Sequence, residues 1–401
     1  MLNIPYGRQD ITAEDIAAVT KALQSDWLTQ GPKVQEFENK FAEYVDAKYA
    51  VAVSNGTTAL HLSALALGTK KGSRVITTPI TFAASANCIE YCDGEVVFSD
   101  IDPETLCLDI NGVRRLLENN TPGTFSGIIP VSFAGYPIDM EAFRELADEH
   151  NLWLIEDACH APGASFTDSM GIEQKTGSGN FADLTIFSFH PVKHIACGEG
   201  GMITTNDEVL YQQLLTLRTH GITKDPKRLI ENHGPWYYEM QELGYNYRMP
   251  DILCALGVSQ LSRADAGIER RRAIAQKYTA AFKNSPVKTI AVDESEVGHA
   301  YHLYVVQVPE RAGLYHHLRN LGIYAQIHYV PVHTMPYYQN LGWRKGNMPN
   351  AEAYYENCIS LPMYPTLTDL QHNQIINHIK DYYHENISDH SSERWKQTSA
   401  P

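Results

Sequence analysis

Nowhere in these 401 residues do apolar side chains run unbroken for the roughly 18 positions a membrane-crossing helix needs. The amino terminus, MLNIPYGRQDITAEDIAAV, shows no basic segment followed by an apolar one, so a soluble protein that is not exported is expected. Positive charge is also in short supply. Against 47 Asp and Glu stand 32 Lys and Arg, a formal net charge of −15 with a pI near 5.5. Such a surface repels phosphate polymers, which argues against broad binding to nucleic acid or to an anionic membrane; an anionic small substrate would need cations gathered locally. Cysteine is sparse and scattered. The seven, at 88, 92, 107, 159, 197, 254 and 358, are odd in number and sit mostly inside apolar segments, which suits a reducing cytoplasm rather than a disulfide framework. Cys88 and Cys92 have a gap that could suit a metal, but they fall on one predicted helix with no second pair nearby, so no metal is expected. There is no internal repeat, no appended DNA-binding segment is visible, and Ser54 to His61 lacks the second and third glycines of a dinucleotide-binding turn, which sets aside a nicotinamide-dependent reductase.

What the chain does have is centred on residues 183 to 207, DLTIFSFHPVKHIACGEGGMITTND. Asp183 to Phe189 reads as a buried strand and Met202 to Thr205 as a second, with Lys193 in the loop between them and Gly198, Gly200 and Gly201 turning the backbone. A lysine held among apolar groups loses hydration, its charged form is disfavoured, and the free amine can attack a carbonyl. Taken alone, a loop lysine beside histidines is far more often a solvated surface charge.

Strand and helix alternate around this segment. Strands are predicted at Tyr49 to Val53, Arg74 to Thr78, Glu95 to Ser99, Gly127 to Val131 and Leu152 to Glu156. Helices are predicted from Thr12, a capping-box residue with Asp15, to Ser25, then through Asp46, and at Ala59 to Leu67, Phe82 to Tyr91, Val113 to Glu118, Met140 to His150 and Glu208 to Leu217. The pattern implies an α/β fold with a mainly parallel sheet covered on both faces, and ligands beyond the carboxyl ends of the strands. Ser54 to Thr58, a turn before a helix, offers free amides and hydroxyls that could cradle a phosphate or could be merely a turn and cap. Thr81 and Phe82, Asp157 with His160, and Ser188 to Lys193 would share its rim. A polar stretch from Thr223 to Trp236 reads as an exposed excursion. Pro250 then starts a helix expected to run to Lys283 as the passage between domains. Strands at Leu303 to Val308 and Ala325 to Tyr329, a helix around Gly313 to Leu321 and a last helix from Asp369 to about His384 suggest a smaller α+β domain. Residues 388 to 401 are polar and aperiodic, as in a mobile tail.

Seven motifs carry a resemblance: Leu28-Thr29-Gln30-Gly31-Pro32, Ser54 to Leu60, Thr81-Phe82-Ala83-Ala84, Glu156 to Ala161, Phe187-Ser188-Phe189-His190, Gly198 to Gly201, and Gly244 to Arg248. Together they make nearly the whole chain similar to the DegT/DnrJ/EryC1/StrS sugar aminotransferases, which have the fold type I, aspartate-aminotransferase-like architecture. The resemblance implies a large pyridoxal-phosphate-binding domain over residues 1–250, a smaller C-terminal domain with its connecting helix over 251–387, and a tail over 388–401.

It further implies that Lys193 is the amine that condenses with the cofactor and later moves the proton, and that Asp157 pairs with the pyridine nitrogen. His160 would lie near the cofactor phenolate and Phe82 would stack on the ring. Asn55, Gly56, Thr57 and Ser188 would hold the phosphate from one subunit of a homodimer and Asn246 from the other. Arg8, Thr29, Arg248 and His328 are candidate contacts to the sugar nucleotide or the donor. From the residues alone, Asp157 could be a helix cap, Phe82 and His160 core, and Asn246 a turn residue. His194-Ile195-Ala196-Cys197 departs from the family's usual Pro-Ile-Thr-Thr after the lysine.

The implied reaction moves an amino group from glutamate to C4 of a nucleotide-linked 4-keto sugar. Pro5 to Gln9, the segment around Lys193 and Ala325 to Tyr329 are most similar to members that aminate UDP-2-acetamido-2,6-dideoxy-β-L-arabino-hex-4-ulose for pseudaminic acid. Another UDP-, GDP- or dTDP-linked ketosugar would use the same catalytic residues. The family's dehydratases put histidine at the lysine position, which Lys193 argues against, and a non-enzymatic sugar-nucleotide-binding regulator is the remaining alternative.

Overall fold

The computed structural model describes residues 2–290, 292 and 297–397. Its first helix, α1 (Ala13–Leu23), starts at the predicted capping box: Thr12 accepts from the Asp15 amide while the Asp15 carboxylate accepts from the Thr12 amide at 2.9 Å. After it come α2 (Pro32–Val45), β1 (Tyr49–Val53), α3 (Gly56–Ala66), β2 (Arg74–Thr77), α4 (Ala84–Glu90), β3 (Glu95–Phe98), α5 (Ile110–Glu118), β4 (Gly127–Ile129), α6 (Met140–Glu149), β5 (Trp153–Asp157), β6 (Leu184–Ser188), β7 (Gly201–Thr205) and α7 (Glu208–Arg218).

The seven strands form one sheet in the order β1-β7-β6-β5-β4-β2-β3. Only β7 runs antiparallel to its neighbours; the other pairings are parallel. Side chains alternate across a strand, and β1 shows the result. Val51 and Val53 join the core containing Leu60, Ile186 and Ile203, whereas Ala50 and Ala52 join a second core with Phe37, Phe41, Phe187 and Phe189. Both faces of the sheet are therefore covered. In the second core the Phe41 ring lies 4.9 Å from Phe187 and 5.4 Å from Phe189, edge contacts that fix how α2 crosses the sheet.

The polypeptide then enters α8 (Asp251–Leu261) and α9 (Ala264–Phe282), where one continuous helix from Pro250 to Lys283 was expected. The break falls at Arg263, whose guanidinium reaches back to Asp10 and Asp15, with Gln260 donating to the same Asp15 carboxylate at 2.7 Å. Beyond α9, β8 (Tyr304–Gln307) and β9 (Cys358–Leu361) pair antiparallel, and α10 (Arg311–Asn320) and α11 (Asp369–Gln397) pack with α9 on a further apolar core. Ile4 belongs to that core, because Ile4–Pro5 pairs in parallel with Ile323–Tyr324.

The strand expected over Ala325 to Tyr329 is thus confined to Ile323–Tyr324; beyond it only Gln326 bridges to Ser360, and the chain turns inward with His328 and Tyr329. The aperiodic tail expected from 388 is helical backbone of α11 as far as Gln397, and residues 398–401 of that expectation lie outside the described residues. No helix among the described residues is long and apolar enough to cross a membrane.

Candidate active site

Parallel strands bring their carboxyl ends to one rim, and four of the chemically equipped residues stand on it for that reason. Asp157 ends β5, Ser188 ends β6, and Ser54-Asn55 follow β1. Antiparallel β7 begins at the same rim, with Gly201 paired to both Val53 and Ser188. A side chain at Gly201 would meet the Asn55 carbonyl carbon and oxygen within 2.6 Å, so glycine alone lets the turn before α3 close down there. Asn55 caps α3 by accepting from the Thr58 amide at 2.9 Å, and the Thr58 hydroxyl accepts from the Asn55 amide at 3.1 Å. That capping box leaves the Gly56 and Thr57 amides, the first two of the helix, without intrahelical acceptors. They face a cavity of about 450 Å³ whose walls include Asn55, Gly56, Thr57, Phe82, Asp157, His160, Ser188, Lys193, His328 and Tyr329.

Lys193 is half-buried in this cavity, and burial pulls its ammonium down to about 8, with Cys159 and Asp157 opposing the shift. The Asp157 carboxylate is fixed from two sides: the Ser85 hydroxyl donates to it at 2.6 Å and the Cys159 amide at 3.1 Å. Ser85 lies 2.7 Å from the Thr81 hydroxyl, so the chain of groups continues behind the carboxylate. His160 accepts at Nδ1 from the Ala134 amide at 3.2 Å, which leaves the proton on Nε2, 3.3 Å from the Tyr329 hydroxyl. His302 brings its Nε2 to 3.4 Å from the Lys193 amine. Burial first, and the nearby Lys193 charge second, drive His160 and His302 well below the ordinary imidazole range. His328, held by a 2.8 Å contact to the Ser360 hydroxyl, is lowered to about 3 for the same reasons. A half-buried amine thus faces neutral imidazoles and a fixed carboxylate.

Residues 9–380 match the model of the DegT/DnrJ/EryC1/StrS aminotransferase family. The chain belongs to that family. Among its relatives, the spore coat polysaccharide biosynthesis protein SpsC of Bacillus subtilis is 39% identical, covering 94% of this chain and 96% of SpsC. The UDP-4-amino-4,6-dideoxy-N-acetyl-β-L-altrosamine transaminase of Campylobacter jejuni is 38% identical over 365 residues, 90% of this chain and 92% of the relative. The PLP form of Spr1654 from Streptococcus pneumoniae superposes with a TM-score of 0.85 at 30% identity, covering 96% of this chain and 99% of that one.

This DegT-family chain is therefore a fold type I enzyme, a nucleotide-sugar aminotransferase whose cofactor is pyridoxal phosphate. The residues present fit that group. A Cβ at Gly56 would stand 3.0 Å from the Ser188 Cβ and 3.3 Å from the Cys159 sulfur, so this stretch of cavity floor is bare backbone at a helix amino terminus, where an anion is favoured. An amine of lowered basicity and a carboxylate complete the set. No cluster suited to a metal occurs among the described residues.

Four of the residues singled out from sequence stand apart from this cavity. Arg8 is exposed and lines a separate cleft of about 220 Å³ with Asp10, Arg263 and Arg270, which also reaches Lys193. Thr29 is exposed; Arg248 lines another depression with Gln30, Glu38 and Arg218. Asn246 bridges to Thr219, and its neighbour Tyr247 accepts from the Ser54 amide at 2.9 Å, so the Gly244 to Arg248 segment backs the turn that carries Asn55. Sequence reasoning missed Ser85, Tyr329 and His302 as members of the site. Ser85 had a signal, one helical turn beyond Thr81; His302 had none, since it precedes a strand among other aromatic residues.

Proposed function

We propose that this chain transfers the amino group of glutamate to C4 of UDP-2-acetamido-2,6-dideoxy-β-L-arabino-hex-4-ulose, a step in pseudaminic acid biosynthesis carried out in the cytoplasm. The observation that carries the reading is the 38% identity across 365 residues with the transaminase of Campylobacter jejuni, together with a half-buried Lys193 facing Asp157 in the strand-end cavity.

When bound, pyridoxal phosphate supplies an aldehyde that takes up amino groups reversibly and a ring that draws electrons from the attached carbon. Gly56 and Thr57 amides with the Thr57 and Ser188 hydroxyls hold its phosphate, and Asn55 orders their helix end. Asp157, kept in place by Ser85 and the Cys159 amide, keeps the ring nitrogen protonated. Phe82 and His160 confine the ring, and Tyr329 holds the His160 imidazole in one orientation. Lys193 Nζ would serve as the nucleophile toward that aldehyde and, as a free amine, as the base that takes a proton from the carbon bearing the amino group and returns it one position along. His328, Arg8, Thr29 and Arg248 are assigned to the sugar nucleotide and the donor carboxylate. Asn246 is assigned to the phosphate of the neighbouring subunit in a homodimer, which accounts for its standing outside the cavity of its own chain. The large unit is read as residues 1–250 and the smaller as 251–387, with the site between strand ends and the 300–330 segment.

The 39% identity with SpsC favours a second reading, in which the same residues aminate a different nucleotide-linked 4-keto-6-deoxy sugar. Comparing kcat/KM for the L-arabino and D-xylo UDP-4-keto sugars separates the two. A preference of at least about tenfold for the L-arabino sugar, about 1.4 kcal/mol in the transition state, is expected; the opposite preference rejects the pathway while keeping the transaminase.

A further inference from the structure

We propose that His302 is a positioning residue for Lys193: its Nε2 accepts a hydrogen bond from the lysine amine and thereby aims the nitrogen lone pair into the cavity. The inference rests on reading Lys193 as the reactive amine. An amine carries two hydrogens and one lone pair, so anchoring one N–H restricts where the lone pair points. A base that must take a proton from one carbon and return it to the next gains from that restriction, because proton transfer requires a short, aligned approach.

The contact itself is 3.4 Å between Lys193 Nζ and His302 Nε2. What gives it weight is how firmly the backbone that carries the imidazole is held, while the ring itself has no second hydrogen bond among the described residues. Arg271, fully buried on α9, donates to the carbonyls of Tyr301, His302 and Met363 at 3.1, 3.3 and 3.0 Å. On the opposite side lies Gly135, with φ +96°; a Cβ there would stand 2.8 Å from the Tyr301 nitrogen and 3.0 Å from the His302 nitrogen. The Ala300 amide donates to the Gly135 carbonyl at 2.9 Å and the Leu303 amide to Ala134 at 3.2 Å. The His160 ring packs on the His302 ring at 4.3 Å.

Two neighbouring histidines have their tautomers dictated by backbone. His160 accepts from Ala134, and His194 donates Nε2–H to the Ala300 carbonyl at 2.8 Å. In contrast, His302 Nδ1 is buried with no partner among the described residues, so nothing but Lys193 directs which nitrogen carries the proton. Toward a lysine ammonium, Nε2 has to be the acceptor, and toward the free amine it can remain so. The groups facing Lys193 from other elements are Asp157 and Cys159, which favour its charged form, and His160, His194 and His328, which are neutral.

His302→Phe keeps a ring against His160 and removes the acceptor; His302→Gln restores an amide oxygen near the Nε2 position. The first readout uses cofactor-free protein: the pH dependence of Lys193 acylation by a small anhydride, followed by mass spectrometry. Wild type should show a midpoint near 8. His302→Phe should lower it by about one unit, since the ammonium loses its acceptor, and His302→Gln should bring it back. In the loaded enzyme, His302→Phe should reduce kcat about tenfold or more with KM for both substrates within about twofold, and His302→Gln should recover most of the loss. A wild-type midpoint near that of an ordinary lysine rejects the reading of Lys193 itself. A wild-type midpoint near 8 with an unchanged His302→Phe profile rejects His302 alone, as does a His302→Gln protein impaired as far as His302→Phe. Should His302→Phe fail to fold, the His302→Gln profile decides: a midpoint matching wild type upholds the proposal and one lowered by a unit overturns it.

Discussion

Lys193 shows how one side chain acquires chemistry from its surroundings. Its loop position and the neighbouring glycines are visible in sequence, but the lowered basicity comes from the cavity wall, assembled from strand ends more than a hundred residues apart. The sign of the effect gives a prediction. Burial disfavours the ammonium, so the free amine is present above about 8 and protonated below it, whereas an ordinary lysine stays protonated well past that pH. The rate at which cofactor-free protein captures pyridoxal phosphate should therefore rise with pH up to about 8 and then level off. A rate still climbing beyond pH 9.5 or so would mean an ordinary surface amine. Asp157 was legible as a strand-end acid, while the Ser85 donation that fixes it was not, because the spacing from Thr81 places Ser85 near the rim without naming its partner in strand β5. Asp157→Asn should retain cofactor and slow proton removal from the donor by at least about a hundredfold, some 2.7 kcal/mol; deuterium washout from α-labelled glutamate measures it, and an unchanged rate would assign ring tuning to another group.

Elements were read best where a local signal suffices. The α1 capping box and all seven sheet strands lie within a few residues of where hydrophobic pattern puts them. What the sequence does not reveal is which distant residues fix an element's ends. Helix α2 begins at Gly31-Pro32 with no side-chain cap of its own; instead the buried Asp251 carboxylate, at the start of α8, accepts from the Gly31 amide at 2.7 Å and the Lys33 amide at 3.0 Å. Nothing in the local sequence links residues 220 positions apart. The same reach from Arg263 to Asp10 and Asp15 accompanies the break between α8 and α9. Asp251→Ala removes the acceptor for two amides and leaves a helix start uncapped, which should cost about 1–3 kcal/mol, read as a lower urea midpoint at unchanged slope. Stability equal to wild type would show that solvent replaces the cap without penalty.

At the scale of the whole molecule, the single chain assembles a cavity with amine, carboxylate, imidazoles and an amide-lined floor, yet leaves Asn246 and Arg248 outside it. The homodimer reading makes this a matter of which chain's cavity they serve. Lys193→Arg, whose guanidinium stays protonated, and an Asn246→Ala variant should each be inactive or severely impaired; unfolded and refolded together, they should regain activity approaching a quarter of wild type, since about half of the dimers formed pair one variant with the other and each of these carries one intact site of two. No recovery on mixing would place Asn246 in its own chain's site or outside catalysis. The central claim, that Lys193 carries pyridoxal phosphate and passes an amino group from glutamate to a 4-keto sugar, is tested most directly by absorption spectroscopy of the loaded wild-type enzyme beside Lys193→Arg. Wild type should show the visible band of lysine-linked cofactor, lose it on adding glutamate as the amine form appears, and recover it on adding the L-arabino UDP-4-keto sugar, while the variant shows no such band. A wild-type spectrum that resembles the variant's, or that glutamate and the sugar leave unchanged, would contradict the account.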